Sequence, residues 1–219
     1  LSRTLFTIPS YGAPQTMSIH YASRDTDGDG LLGTGWSSDL TQRLEEVGGS
    51  VVVWHTADGS LLPYAWNGSD WVPPVGRFET LAHDAGNGRY VLADPDGSYL
   101  RFADSGDGRL LAMCDRFDQC LYLAWGGSSV TATDESNRTT TLTLSSGRIS
   151  AVVDSAGRGW AFTYASGRLT EVVDPVGSDI DLTYGGAGGE LTRITGHRSG
   201  DVNWDVGYSS GVVTWVQDP

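Results

Sequence analysis

Gly147-Arg-Ile-Ser-Ala-Val-Val-Asp154-Ser-Ala-Gly157-Arg-Gly-Trp160-Ala-Phe162-Thr-Tyr164 is followed by Gly167-Arg-Leu-Thr-Glu-Val-Val-Asp174-Pro-Val-Gly177-Ser-Asp-Ile180-Asp-Leu182-Thr-Tyr184. The two stretches superpose without a gap at a spacing of about 20 residues, which marks a repeat architecture. Each has a short apolar run, an Asp and a Gly three apart, and a second run alternating apolar with polar. That pattern predicts a β-hairpin with a Gly-containing return.

The unit recurs on both sides. Upstream, Gly127-Ser-Ser-Val-Thr-Ala-Thr-Asp134 leads through Asn137 to Leu142 and Leu144, and Gly108-Arg-Leu-Leu-Ala-Met-Cys-Asp115 turns through Asp118 into Leu121, Leu123 and Trp125. Downstream, Gly189-Glu-Leu-Thr-Arg-Ile-Thr-Gly196 turns at Ser199 into Val202, Trp204 and Val206, and a last unit opens at Gly211 and is cut at Asp218-Pro219. A weaker unit precedes them, with Asp94-Pro-Asp-Gly97 as its turn and Leu100 and Phe102 beyond it.

At the matched turn site stand Gly97, Asp118, Asn137, Gly157 and Gly177, residue types that tolerate the positive φ of a tight loop; Ser199 departs from the set. Second strands place Trp160, Phe162 and Tyr164, or Ile180, Leu182 and Tyr184, on one face. First strands are less regular: Leu110/Met113, Ile149/Val152, Leu169/Val172, Leu191/Ile194 and Val212/Trp215 lie three apart. The segments are too short and too β-branched for helices, so the spacing implies either a bulge or a strand covered on both faces. The repeated carboxylates Asp94, Asp115, Asp134, Asp154, Asp174 and Asp218 fall at the turn, where Asp accepts hydrogen bonds from turn amides. Two carboxylates in a cleft are also what a glycosidase needs, but the turn position accounts for these.

The pattern Gly-Arg-Leu-x-x-Val-x-Asp-x-x-Gly, closed by an apolar residue and a Tyr, resembles the YD repeat of the RHS family, which includes bacterial polymorphic toxins, the B/C components of insecticidal toxin complexes, and teneurins. The preceding chain fits as well: Tyr21-Ala-Ser, Gly30-Leu-Leu-Gly33-Thr-Gly35-Trp36, Asp39-Leu-Thr-Gln-Arg-Leu44, Val53-Trp-His-Thr-Ala-Asp58-Gly59, Pro73-Pro-Val-Gly76 and Leu81 resemble the segment before the repeats in such proteins. Residues 1–15 carry no specific signal. The resemblance implies a spiral sheet of hairpins forming a hollow shell around a C-terminal polypeptide. Asp174-Pro-Val-Gly177 is similar to an element of the family's autoproteolytic core but lacks its flanks, so no cleavage residue is assigned.

Composition agrees with many short strands and frequent turns: 30 Gly, 8 Trp and 9 Tyr beside 2 Met in 219 residues. A formal charge of −13 and a pI near 4.4 repel phosphate backbones and anionic membrane surfaces, arguing against nucleic acid as a partner. No apolar run approaches the ~18 residues of a membrane span.

Cys114 and Cys120 mirror each other across the turn Asp115–Gln119. A disulfide closing that loop would suit an exported protein; two half-buried free thiols are the alternative. Asp25-Thr-Asp27-Gly-Asp29-Gly30 looks like the start of a calcium-binding loop. Its twelfth position is Trp36, where a bidentate Glu is needed, so Asp25, Asp27 and Asp29 are a calcium candidate set beside a plain solvated turn. His20 sits in the strand candidate Thr16–Tyr21. His55, His83 and His197 are scattered, and no nucleophile elbow, P-loop or dinucleotide fingerprint is present. The repeated Arg109, Arg148 and Arg168 and the terminal Tyr164 and Tyr184 predict ladders of Arg stems over aromatics, a packing surface or else a sugar-binding array.

The expected fold is all-β: tandem hairpins in a curved, spiralling antiparallel sheet. Residues 1–87 form an N-terminal β segment and residues 88–219 the hairpin repeats. Strands about 4.8 Å apart make six or seven hairpins roughly 60 Å wide, against a circumference of about 110 Å or more for a wall around a guest of about 100 residues with a radius of gyration near 13 Å. The expectation is half a turn of a secreted or surface shell with one face toward a lumen. It needs no cofactor and has no catalytic role, and its partner is the rest of its own polypeptide. The alternative is a carbohydrate- or cell-surface-binding module. Truncated sheet edges also predict self-association.

Overall fold

The computed structural model describes residues 1–10, 12–25, 30–185, 188–197 and 200–217. It is almost entirely β. Strands β1 (Ser2–Ile8), β2 (Gln15–Tyr21) and β3 (Trp36–Ser38) form a small antiparallel sheet in that order. A second sheet of 18 strands takes the rest. It opens with β4 (Arg43–Val47), β5 (Val51–His55), β6 (Leu61–Trp66), β7 (Trp71–Val72), β8 (Thr80–Asp84) and β9 (Arg89–Ala93). The hairpin repeats follow as β10 (Tyr99–Ala103), β11 (Leu110–Cys114), β12 (Cys120–Trp125), β13 (Ser129–Thr133), β14 (Thr139–Ser145), β15 (Arg148–Val153) and β16 (Gly159–Ala165). The last five are β17 (Arg168–Val173), β18 (Asp179–Gly185), β19 (Glu190–Gly196), β20 (Val202–Ser209) and β21 (Val212–Gln217). Each strand from β4 onward pairs antiparallel with the next. No helix among the described residues is long and apolar enough to cross a membrane.

The three-residue spacing of the first strands resolves as a bulge. In β16–β17, Tyr164 opposes Leu169 and Thr163 opposes Glu171, leaving Thr170 as an extra residue. Leu169 and Val172 therefore both point inward and are buried. The same shift leaves Ser150 extra in β15, Thr192 in β19, Leu111 in β11 and Thr214 in β21. In the last hairpin it corrects the expected pair: Val213 opposes Tyr208 and Val216 opposes Val206, so the inward pair is Val213/Val216 and not Val212/Trp215.

Residues 1–15, without a signal in sequence, supply β1 and the start of β2. A register shift between Thr4 and Phe6 breaks the alternation that would have announced β1. The small sheet lies across the apolar face of the repeats. Phe6 packs on Trp160 with ring centroids 4.8 Å apart, and Met17, Ile19 and Leu32 are buried in the same core as Leu142, Ile149, Leu169 and Leu191. Backbone bonds fasten the layers: the Ile149 N–H donates to the Leu31 carbonyl (2.8 Å) and the Thr34 N–H to the Gly167 carbonyl (3.2 Å). At Gly33, φ is +81° and a Cβ would stand 2.5 Å from the Gly167 oxygen, so the approach demands glycine.

Curvature differs from the expected half turn. Strands β4–β10 bring the sheet back on itself, where Arg43 bridges Arg109 and the Leu44 N–H donates to the Gly108 carbonyl at 2.9 Å. Among the described residues no pairing joins β21 to β4, and the sheet is not closed. A ring of seven or eight strands is just wide enough for its own side chains. Tyr64, Val52, Leu81, Leu92 and Phe102 belong to one buried core. The start of the sheet is thus a packed plug, and the face expected to line a lumen is, over most of the repeats, under the N-terminal sheet.

Candidate functional site: the hairpin unit and the face it packs

Three polar devices recur along the hairpins. The first is the turn carboxylate. Asp154 Oδ1 accepts the N–H groups of Ala156 and Arg158, Asp174 those of Val176 and Ser178, Asp134 those of Ser136 and Arg138, and Asp115 those of Phe117 and Gln119, all at 2.9–3.0 Å. The turn then passes through positive φ at Asp118 (64°), Asn137 (58°), Gly157 (78°) or Gly177 (77°). Asp134 and Asp154 have fully buried carboxylates that also pair with Arg138 and Arg158. Burial opposes the charge on Asp134, but the Arg138 amide and guanidinium, with the Ser10 hydroxyl, outweigh it and hold its pKa at about 2.

The second device is the strand-end aromatic. The Tyr164 hydroxyl donates to the Ile149 carbonyl (2.7 Å), Tyr184 to that of Leu169 (2.5 Å), and the Trp125 indole N–H to that of Leu110 (2.7 Å). Each acceptor is the residue just before the bulge, so the ring pins the bulge of its own hairpin. Burial pushes both tyrosine hydroxyls up, keeping them protonated donors. The third is the arginine: Arg148 lies over Tyr164, Arg168 over Tyr184 and Arg109 over Trp125, at 5.9, 5.2 and 5.0 Å from the ring centroids. Arg168 also reaches the Gly189 carbonyl of the next hairpin.

The aromatics therefore form no open groove. Tyr184 additionally accepts a bond from the Trp36 indole (2.7 Å), and Tyr21 accepts one from the Leu191 N–H (2.9 Å), so the N-terminal sheet closes over them. Gln15, buried in β2, continues this seam: its Nε2 donates to the Arg138 carbonyl and its Oε1 accepts from Thr140. Sequence reading placed Tyr21 at the end of a strand without this role and passed over Gln15. A buried Gln on the face that Met17 and Ile19 make apolar leaves no periodic mark.

Cys114 and Cys120 face each other across β11–β12 and are joined in a disulfide. Among the calcium candidates, Asp27 and Asp29 lie outside the described residues; Asp25 borders a cleft with Arg24 and Arg109. Trp36, at the loop's twelfth position, is buried and bonded to Tyr184. Each of three histidines meets an acid: His55 with Glu45 (2.8 Å), His83 with Asp104 (3.0 Å) and His197 with Asp201 (2.7 Å).

A cavity of about 680 Å³ lies between the N-terminal sheet and the ring, bordered by His20, Asp39, Trp54, Asp58, Arg77 and Glu79. Its carboxylates are engaged by neighbours. Arg77 forks onto Glu79, and Asp39 takes the Ser18 N–H at 2.6 Å. The Thr56 hydroxyl and then the Ser60 amide hold the Asp58 carboxyl below its usual range against burial. These bonds are those of a folded seam.

Two family models match the chain. One, a domain of unknown function (DUF6531), covers residues 1–64, the N-terminal sheet and first strands. The other, the RHS repeat, covers residues 144–179, the hairpins around β15–β17. No curated protein matches. The hairpin geometry at the repeat match and the preceding segment agree: the chain carries RHS-type repeats behind a DUF6531 segment, consistent with an RHS/YD-repeat protein.

Proposed function

We propose that this chain is a non-catalytic wall segment of an RHS-type shell that encloses a C-terminal toxin or effector. The repeat family supports a structural shell role. The observation that carries the finer reading is how the polar side chains of the repeats are used. Asp serves its turn, Tyr its bulge and Arg its neighbouring ring, which leaves no reactive group to the hairpins as a set. The N-terminal sheet seals the beginning of the wall, while β21 runs on beyond it with its inward Val213 and Val216 exposed. The disulfide favours an oxidising, secreted or surface location. Against the carbohydrate alternative stands the placement of Trp125, Tyr164 and Tyr184, which are packed against their own strands.

Limited proteolysis of the full polypeptide that carries this chain tests the reading. A domain following the repeats is expected to survive protease while the shell is intact and to be digested once the shell is denatured. Equal digestion in both states would overturn encapsulation. A glycan array with selective, saturable binding to this chain would favour the carbohydrate alternative instead.

A further inference from the structure

We propose that Asp179, Asp181 and His197, backed by Asp201, bind one zinc-class divalent cation that ties β18 to the turn between β19 and β20. In β18, Ile180 points into the core, so the side chains of Asp179 and Asp181 share the outer face. The β18–β19 register sets Gly196 opposite Ile180, and the His197 N–H donates to the Asp179 carbonyl at 3.2 Å. The imidazole is thereby delivered over both carboxylates. Its Nε2 lies 3.2 Å from Asp181 Oδ2 and 3.9 Å from Asp179 Oδ2. One ligand atom from each residue falls within 4.8 Å of the other two. Zinc holds N and O ligands at about 2.0–2.2 Å in a tetrahedron, whose corners are then about 3.4 Å apart. Small rotations of the two outer-face carboxylates would bring the three donors to that spacing.

The other ring nitrogen carries the independent part of the argument. Nδ1 lies 2.7 Å from Asp201 Oδ1, the carboxylate–histidine pairing that orients a metal-binding imidazole. In the tautomer whose Nδ1–H is donated to Asp201, Nε2 faces the Asp179 and Asp181 carboxylates, where a metal ion would sit between the three groups. Because its ligands must be deprotonated, such binding is pH-dependent. Three protein donors are too few for calcium.

Comparison among hairpins shows that the set is no part of the repeat. The preceding unit has Gly159 and Ala161 where Asp179 and Asp181 stand, and Ser155 and Pro175 occupy the position of His197. Of the units that open at Gly147, Gly167 and Gly189, only the last has a glycine, Gly196, where Asp154 and Asp174 stand. Beside it, His197 meets Asp201 and two carboxylates of β18. Among the described residues the other close grouping, Cys114, Asp118 and Cys120, is closed by its disulfide.

Calorimetric titration of the 219-residue chain with zinc chloride near neutral pH tests this. One equivalent should bind, undiminished by excess calcium and weakening as pH falls. His197→Ala should lower the affinity at least about 100-fold, and Asp201→Asn about 10–100-fold with unchanged stoichiometry. Cobalt(II) should give the visible bands of a tetrahedral site, lost in the His197 variant. Should His197→Ala perturb folding by circular dichroism, Asp181→Asn on the exposed outer face makes the same comparison. Absence of zinc binding by the native chain, or equal binding by native and variant chains, overturns the site and leaves His197 as a protonated clamp.

Discussion

Hairpins β16–β17 and β20–β21 have the same bulge and the same inward positions, yet differ in what lies above them. Leu169 and Val172 are 0% and 2% exposed, whereas their counterparts Val213 and Val216 are 47% and 54% exposed. The N-terminal sheet reaches Leu191 through Tyr21 and Gly211 through Ser23 but goes no further. The difference teaches that hairpin shape is local, while the stability of a hairpin depends on what covers its apolar face.

The comparison breaks most readily by truncating both members. Leu169→Ala should cost about 2–5 kcal/mol, because a buried side chain leaves a cavity, and Val213→Ala less than about 1 kcal/mol. Chemical denaturation measures both; equal losses would mean that β21 is buried after all. Acid should come next and act on the covered hairpins. The Asp134 pKa is lowered to about 2, so its contribution is complete above the unfolded value near 4 and is lost as pH falls toward 2. Asp134→Asn should flatten the pH dependence of stability in that window, with no comparable effect from Asp205→Asn on the exposed strand. Tyr164→Phe, which strips the bulge carbonyl of Ile149 of its donor, should cost about 0.5–1.5 kcal/mol. The smallest effect is expected at the free edge. β21 reads Val-Val-Thr-Trp-Val-Gln without a charge, and such edges pair with others. Thr214→Lys should reduce any self-association seen by light scattering and leave the melting temperature within about 2 °C.

Much of the hairpin unit was legible in the residues. Asp and Gly three apart define a turn through short-range bonds, and Tyr164 and Tyr184 end strands whose alternation is visible. The bulge was one of two open readings, because three-residue spacing states only that two side chains share a side and not which residue is extra. β1 was missed because its own register shift interrupts the alternation. The Asp179–His197 grouping went unread because its members sit 18 residues apart and meet only through strand pairing.

The sequence by itself determined the elements: period-two runs, positive-φ residues and turn carboxylates act over a few residues and need no partner to be recognised. Tertiary structure alone decided the tight first turn of the sheet and the choice of the N-terminal strands as its cover. Those depend on side chains from distant segments filling one space, through contacts such as Phe6 on Trp160 and Gly33 against Gly167, for which a linear pattern of apolar and polar residues has no mark.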